Sequence, residues 1–181
     1  NSISGKPIWK QREMESTYCF YLGWLHDALF QFDSAEWYYR KELFDFEDII
    51  YNKELWVSLF NDLGVIKLSI DDYYSSILYF IKFIYESNRL CLDLPESIIA
   101  DLYTNIGNSL YEIGHYPEAK QLFEKSHELC QYSIESAICT YQNIALIEQK
   151  NNNYKKAIEY FLKAESEHTN DSGVFSKEYI Q

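Results

Sequence analysis

One spaced signature occurs four times in this chain. Leu22-Gly23, Leu63-Gly64, Ile106-Gly107 and Ile144-Ala145 each set a small residue twelve positions ahead of a second, at Ala35, Ser76, Ala119 and Ala157. An aromatic follows four positions after the second small residue (Tyr39, Phe80, Phe123, Phe161), and another precedes it by three (Phe32, Tyr73, Tyr116, Tyr154). Self-similarity at a fixed period marks repeat architectures, in which each unit buries its apolar face only by stacking on its neighbours. The anchors at 23, 64, 107 and 145 give units of 41, 43 and 38 residues. The twelve-residue step never varies, so the differences in unit length fall after the second small residue.

With 6 Gly and 3 Pro in 181 residues, long helices are favoured between the breaks. The first unit reads as helices over 11–30 and 33–50. The second reads as 53–69, then a helix capped by Asp71-Asp72 and running to about Ser87, since Asp and Ser side chains accept the unpaired N–H groups of a first turn. Pro95 opens the third unit and Pro117 its second helix, with Gly114 supplying a left-handed cap between them. The fourth runs over 133–150, turns at Asn151-Asn152-Asn153 and continues from Tyr154 to about His168, because Asn tolerates the left-handed region. Thr169 to Gly173 is expected to be a polar link, with 169–181 starting a further helix. Small residues suit a crossing of two helices: a side chain larger than Ala would hold the backbones apart, while Tyr39, Phe80, Phe123 and Phe161 fill the space toward the next unit.

This pattern resembles the tetratricopeptide repeat, from about residue 17 to 168, with units longer than the standard repeat of about 34 residues. The resemblance implies an all-α fold: a right-handed superhelical solenoid of about four antiparallel helix pairs, read as a single repeat domain over 1–181 with repeats at about 11–50, 53–88, 95–132 and 133–168. The sequence begins at Asn1 rather than Met and stops at Gln181 as a helix starts, and is read as a fragment of a longer chain.

Composition limits what such a fold does here. Asp and Glu number 28 against 16 Lys and Arg, a net charge of −12. That disfavours direct nucleic-acid contact by this segment, which needs clustered cations, and favours cationic or neutral ligands. Cys19, Cys91, Cys130 and Cys139 form no CxxC pair and are read as buried, reduced thiols of a cytoplasmic protein. His26, His115, His127 and His168 lack metal spacing, so no metal or cofactor is expected. No phosphate-cradling loop or nucleophile elbow is present, so the segment is not read as an enzyme. No run is long and apolar enough to suggest a membrane span or a signal peptide.

In the tetratricopeptide family the first helix of each pair lines a concave groove. With each anchor taken as position 8, positions 2, 5, 6, 9, 12 and 13 face that groove. They include Trp24 and Asp27 in the first repeat, Asn61 and Asp62 in the second, and Asp101, Thr104, Asn105, Asn108, Tyr111 and Glu112 in the third. The fourth contributes Cys139, Gln142, Asn143, Leu146 and Lys150. Two properties stand out. Side-chain amides donate and accept at once, so Asn61, Asn105, Asn108, Gln142 and Asn143 can pair with an extended peptide backbone whatever its sequence. The acids Asp27, Asp62, Asp101 and Glu112 outnumber the one base, Lys150. Two bland readings stand beside these: the Asn residues tie neighbouring helices together, and the acids form a solvated face.

Long, irregular repeats with Asn-bearing first helices, as in Leu102-Tyr-Thr-Asn-Ile-Gly-Asn-Ser-Leu-Tyr-Glu-Ile-Gly-His-Tyr-Pro-Glu-Ala119, resemble the sensor domains of cytoplasmic peptide-pheromone receptors of Gram-positive bacteria (the Rap, Rgg, NprR, PlcR and PrgX group). The resemblance implies a quorum-sensing transcriptional regulator. Asn61, Asn105, Asn108 and Asn143 would clamp a short peptide, and binding would shift an attached effector or a homodimer interface. A carboxylate clamp for chaperone tails is disfavoured, since Thr104 and Cys139 stand where it needs Lys or Arg. A static scaffold joining larger proteins is the alternative to the sensor.

Overall fold

The computed structural model describes the backbone of residues 8–45, 52–130 and 133–178, and the side chains of 10–44, 52–130 and 133–167. Among these residues there are eight helices and no strand. They are α1 (Ile8–Ala28), α2 (Phe32–Asp45), α3 (Lys53–Ser69), α4 (Tyr73–Arg89), α5 (Glu96–Glu112), α6 (Tyr116–Leu129), α7 (Ile134–Lys150) and α8 (Tyr154–Glu178). The expected continuation of α2 to Ile50 lies outside the described residues. The chain divides between Asp93 and Leu94 into two compact units, each holding two of the four helix pairs.

In the first unit α1 pairs with α2 and α3 with α4. Both pairs close on a glycine. A Cβ built on Gly64 would lie 2.5 Å from Cε1 of Phe80, and one on Gly23 would overlap the ring of Tyr39. Both rings are buried, beside Ala35 and Ser76 at the second small position. The Ser76 hydroxyl also donates to the Gly64 carbonyl at 2.9 Å, so the two small residues are bonded across the crossing. Asn52 and Asp72 cap α3 and α4, their side chains accepting the N–H groups of Leu55 and Ser75.

In the second unit α5 pairs with α6 and α7 with α8. A Cβ on Gly107 would lie 2.7 Å from Cε1 of Phe123. Phe123 packs with Ala119 and with Ile147 of α7, which joins the two pairs. Ser126 donates to the Ala100 carbonyl at 2.8 Å, and Ser133 caps α7. The fourth pair departs from the pattern. Ala145 already carries the Cβ that its three counterparts lack, and Phe161, expected to fill the space between units, is 41% exposed.

The turn inside each pair is the same. Phe30 (φ 57°), Asp71 (62°), Gly114 (86°) and Asn152 (60°) are left-handed, each seven residues after its anchor. The residue after each returns its N–H across the helix end: Gln31 to His26 O at 2.9 Å, and Asp72 to Lys67 O, His115 to Leu110 O and Asn153 to Glu148 O at 2.8 Å. These are Schellman closures. Their length is fixed, which is why the twelve-residue step is constant.

Two expectations are corrected. Helix α8 runs unbroken through Thr169–Gly173 to Glu178, so there is neither a polar link nor a separate further helix starting at 169. Weak helix formers such as Asn170, Ser172 and Gly173 each cost about 1 kcal/mol or less, and no proline enforces a break. Of the four cysteines only Cys19 is buried; Cys91 and Cys139 are exposed.

The left-handed turns give a prediction with opposite signs. An L-residue in this region costs about 1–2 kcal/mol, which Gly avoids. Gly114→Ala should lower the unfolding free energy by about 1 kcal/mol and Phe30→Gly, at an exposed side chain, should raise it by about 0.5–1 kcal/mol. Urea denaturation checks both, and a shift of the same sign in the two variants contradicts the assignment.

Candidate functional site

Helix periodicity sorts the expected groove residues by face. On α5, Asp101, Asn105, Asn108 and Glu112 follow at steps of four, three and four, so they form one stripe. On α7, Gln142, Asn143, Leu146 and Lys150 share a face in the same way. Asp101, Glu112, Gln142, Leu146 and Lys150 are exposed, while Asn105, Asn108 and Asn143 are partly covered. Lys150 reaches back from α7 to α5, its Nζ 5.9 Å from the ring centroid of Tyr111. Tyr111 itself leans on the buried cluster of Ala119, Phe123 and Ile147, with Tyr116 at 5.5 Å between ring centroids. It therefore anchors one end of the stripe rather than standing free.

Among the described residues, no hydrogen bond engages the side-chain amides of Asn105, Asn108, Gln142 or Asn143. Asn105 and Asn143 make no side-chain hydrogen bond to the neighbouring helix among the described residues. Thr104 is different: its hydroxyl bonds the Ala100 carbonyl at 3.1 Å and the Ser126 hydroxyl at 2.9 Å. Thr104 is turned toward α6, so its side chain is used inside the helix pair.

The first unit holds the other two expected residues. Asn61 donates to its neighbour Asp62, whose carboxyl is pushed up to about 6 by burial, with the Asn61 bond opposing and the charge of Asp27 adding to the rise. The Asp27 carboxyl is raised by burial. The Tyr39 hydroxyl is raised by burial and then by Asp62 and Asp27, so the three are neighbours. Asp27, Asn61 and Asp62 thus form an acidic spot next to a buried tyrosine. Trp24, on the same helix as Asp27, is 60% exposed.

A second feature went unnoticed in the sequence. A cleft of about 1110 Å³ lies among α2, α3 and α4, lined at its base by Trp56, Phe60 and Lys67. On α3 these three lie on the side opposite Asn61 and Asp62, because eleven residues make about three turns and put 56, 60 and 67 on one face. Lys67 bonds Glu36 of α2 at 2.8 Å and approaches Asp72 at 3.8 Å, bracing the cleft across the helices. Laying the four second helices in register through the twelve-residue step would have exposed the signal, as α4 alone carries four apolar residues on its outer face. No group of three His, Cys, Asp or Glu suited to a metal is present among the described residues, and none of the described helices is long and apolar enough to cross a membrane.

The raised Asp62 gives a pH test. Its carboxyl is easier to protonate in the folded chain than in the unfolded one, so its contribution to stability is greatest below about 3.8 and is lost as pH rises through about 6. Asp62→Asn should therefore be more stable than the parent at pH 7.5 by about 1–3 kcal/mol, with the gap shrinking toward pH 4. Thermal melts at the two pH values read this directly; an equal gap at both would show that Asp62 is not raised.

Residues 98–166 match the family model described as tetratricopeptide repeat. No curated protein matches the sequence. Among solved structures the chain is similar to BtubC from P. vanneervenii, with a TM-score of 0.73 at 17% identity, over 87% of this chain and 65% of that one. It is similar to the apo form of RapI, with a TM-score of 0.72 at 20% identity, over 91% and 60% of the two chains. MamA from Desulfovibrio magneticus RS-1 follows at 0.68 and 15%, over 90% and 81%. At such identities the likeness is one of fold. The chain spans less than two thirds of the length of the first two.

Proposed function

Taking the chain as a tetratricopeptide-repeat protein, a helical-repeat scaffold for protein interactions, we propose that it is the peptide-binding sensor domain of a cytoplasmic regulator. The faces of α5 and α7 would grip an extended peptide through its backbone. The unengaged amides of Asn105, Asn108, Gln142 and Asn143 carry this reading. Each can donate to a peptide carbonyl and accept from a peptide N–H, with no internal bond to break first. Asp101 and Glu112 at the stripe edges favour a ligand that is neutral or basic. Tyr111, held by its packing, offers an apolar wall. In the first unit, Asp62 with Asn61 forms an acidic contact of its own, whose charge grows as pH rises through about 6.

The resemblance to peptide-pheromone receptors supports a regulatory output of the quorum-sensing kind, acting on transcription through an effector or a homodimer. The output would be a population shift, requiring that peptide bind one packing better than another. The static scaffold is the alternative, and predicts no preference for short peptides.

Calorimetry against short neutral and basic peptides tests the reading. A micromolar or tighter ligand should emerge, weakened about tenfold or more in Asn105→Ala and in Asn143→Ala, a loss of about 1.4 kcal/mol each. Circular dichroism should show both variants folded. Full affinity retained in both, or no ligand among the peptides, contradicts the amide grip.

A further inference from the structure

We propose that the cleft among α2, α3 and α4 in the first unit is a docking groove for an amphipathic helix of a partner protein, one whose apolar stripe is flanked by Asp and Glu. On α3 this surface lies on the side opposite Asn61 and Asp62.

The first ground is register. Counting from the second small residue of each repeat, the same four outer positions are Pro117, Gln121, Glu124 and Glu128 in α6 but Tyr74, Leu78, Ile81 and Tyr85 in α4. The α4 residues are 70%, 66%, 52% and 58% exposed. The repeat does not need them apolar, because α6 keeps the same fold with a polar face. Their steps of four, three and four are those of a helix-packing seam, and over eleven residues they extend about 16 Å, or three helical turns.

The second ground is shape. Phe44 of α2 and Leu78 and Tyr85 of α4 line the cleft, and Trp56 and Phe60 of α3 lie at its base. A groove bounded by helices offers no free sheet edge for an extended strand, whereas a helix can lay an apolar face along it.

The third ground is charge. Arg40, Lys82 and Arg89 line the cleft with side chains 53%, 49% and 48% exposed. Their carboxylate partners are covered: Glu36 is 17% exposed, 3.3 Å from Arg40, and Glu86 is 6% exposed, 3.1 Å from Lys82. Asp72, 41% exposed and 3.8 Å from Lys67, is the one outward carboxylate of the lining against these three cations, so the outward charge is net positive, on a chain of net charge −12. Carboxylates on the incoming helix complement it. A second copy of this chain, meeting the same face across a two-fold axis, would set these cations against themselves.

The test is selection of randomised 16-residue peptides by display against the full chain, with binding then measured by fluorescence anisotropy. Enriched peptides should repeat apolar residues at three- and four-residue steps and carry net negative charge. Leu78→Glu should weaken their binding at least tenfold, and Lys82→Glu several-fold with the loss growing at low salt, while Asn105→Ala leaves it unchanged. Circular dichroism confirms the fold, with two exposed positions guarding against a misfolded variant. The proposal is overturned if no peptide sensitive to Leu78→Glu emerges, or if the enriched peptides are basic. It is equally overturned if sedimentation shows a dimer of the parent chain that Leu78→Glu dissolves, which would make a second copy the occupant.

Discussion

Three of the four helix pairs rest on one contact: an aromatic ring of the second helix lying directly on a glycine of the first. At Gly23, Gly64 and Gly107 the ring of Tyr39, Phe80 or Phe123 fills the place where a Cβ would stand. A glycine inside a helix costs about 0.5–1 kcal/mol relative to alanine. Full burial of the ring returns about 1.5–3 kcal/mol, so the exchange is favourable. The contact also fixes how far the two helices slide past one another. The Schellman turns at Phe30, Asp71, Gly114 and Asn152 then have one geometry to satisfy, and each repeat presents the same helix faces outward.

Those faces are where the repeats differ, and the differences are what give the chain chemistry. On α5 and α7 they include amides that take part in no hydrogen bond among the described residues. On α1 and α3 they include the carboxyls of Asp27 and Asp62, whose charges act on each other and on Tyr39. On α4 they are apolar, beside cations that cover their own counter-ions. A common frame with separately varied faces is how one fold can carry unrelated binding surfaces.

The anchors were legible because they obey a rule of sequence spacing, and the helix bounds followed. The 53–69 helix matches Lys53–Ser69, and of the expected Asp71-Asp72 cap it is Asp72 that accepts the first-turn N–H, while Asp71 takes the left-handed turn. Gly114 announced its left-handed turn; Phe30 could not, since an aromatic residue in that conformation is held by the closure around it and not by its own preference. Phe161 breaks the pattern because Ala145 is small but not glycine, and its methyl group stands in the space the ring needs. Thr104 had the groove periodicity but found the Ser126 hydroxyl instead, a contact between residues 22 apart that no local pattern encodes. Likewise the cleft joins α2, α3 and α4 through Lys67 and Glu36, which are 31 positions apart. The placement of the groove amides on their helices followed from period alone, while their lack of internal partners required the packed structure.

A double-mutant cycle at Gly107 and Phe123 measures the ring-on-glycine contact itself. In the parent background Gly107→Ala should destabilise the chain by about 1–3 kcal/mol, because the buried ring cannot retreat. In a Phe123→Leu background the same change should be neutral or stabilising, as the added methyl then finds room and helix propensity favours alanine. A coupling energy above about 1 kcal/mol is predicted from urea denaturation. Additivity within about 0.5 kcal/mol would mean that the ring and the glycine do not depend on one another, and that the helix pairs are held by something else.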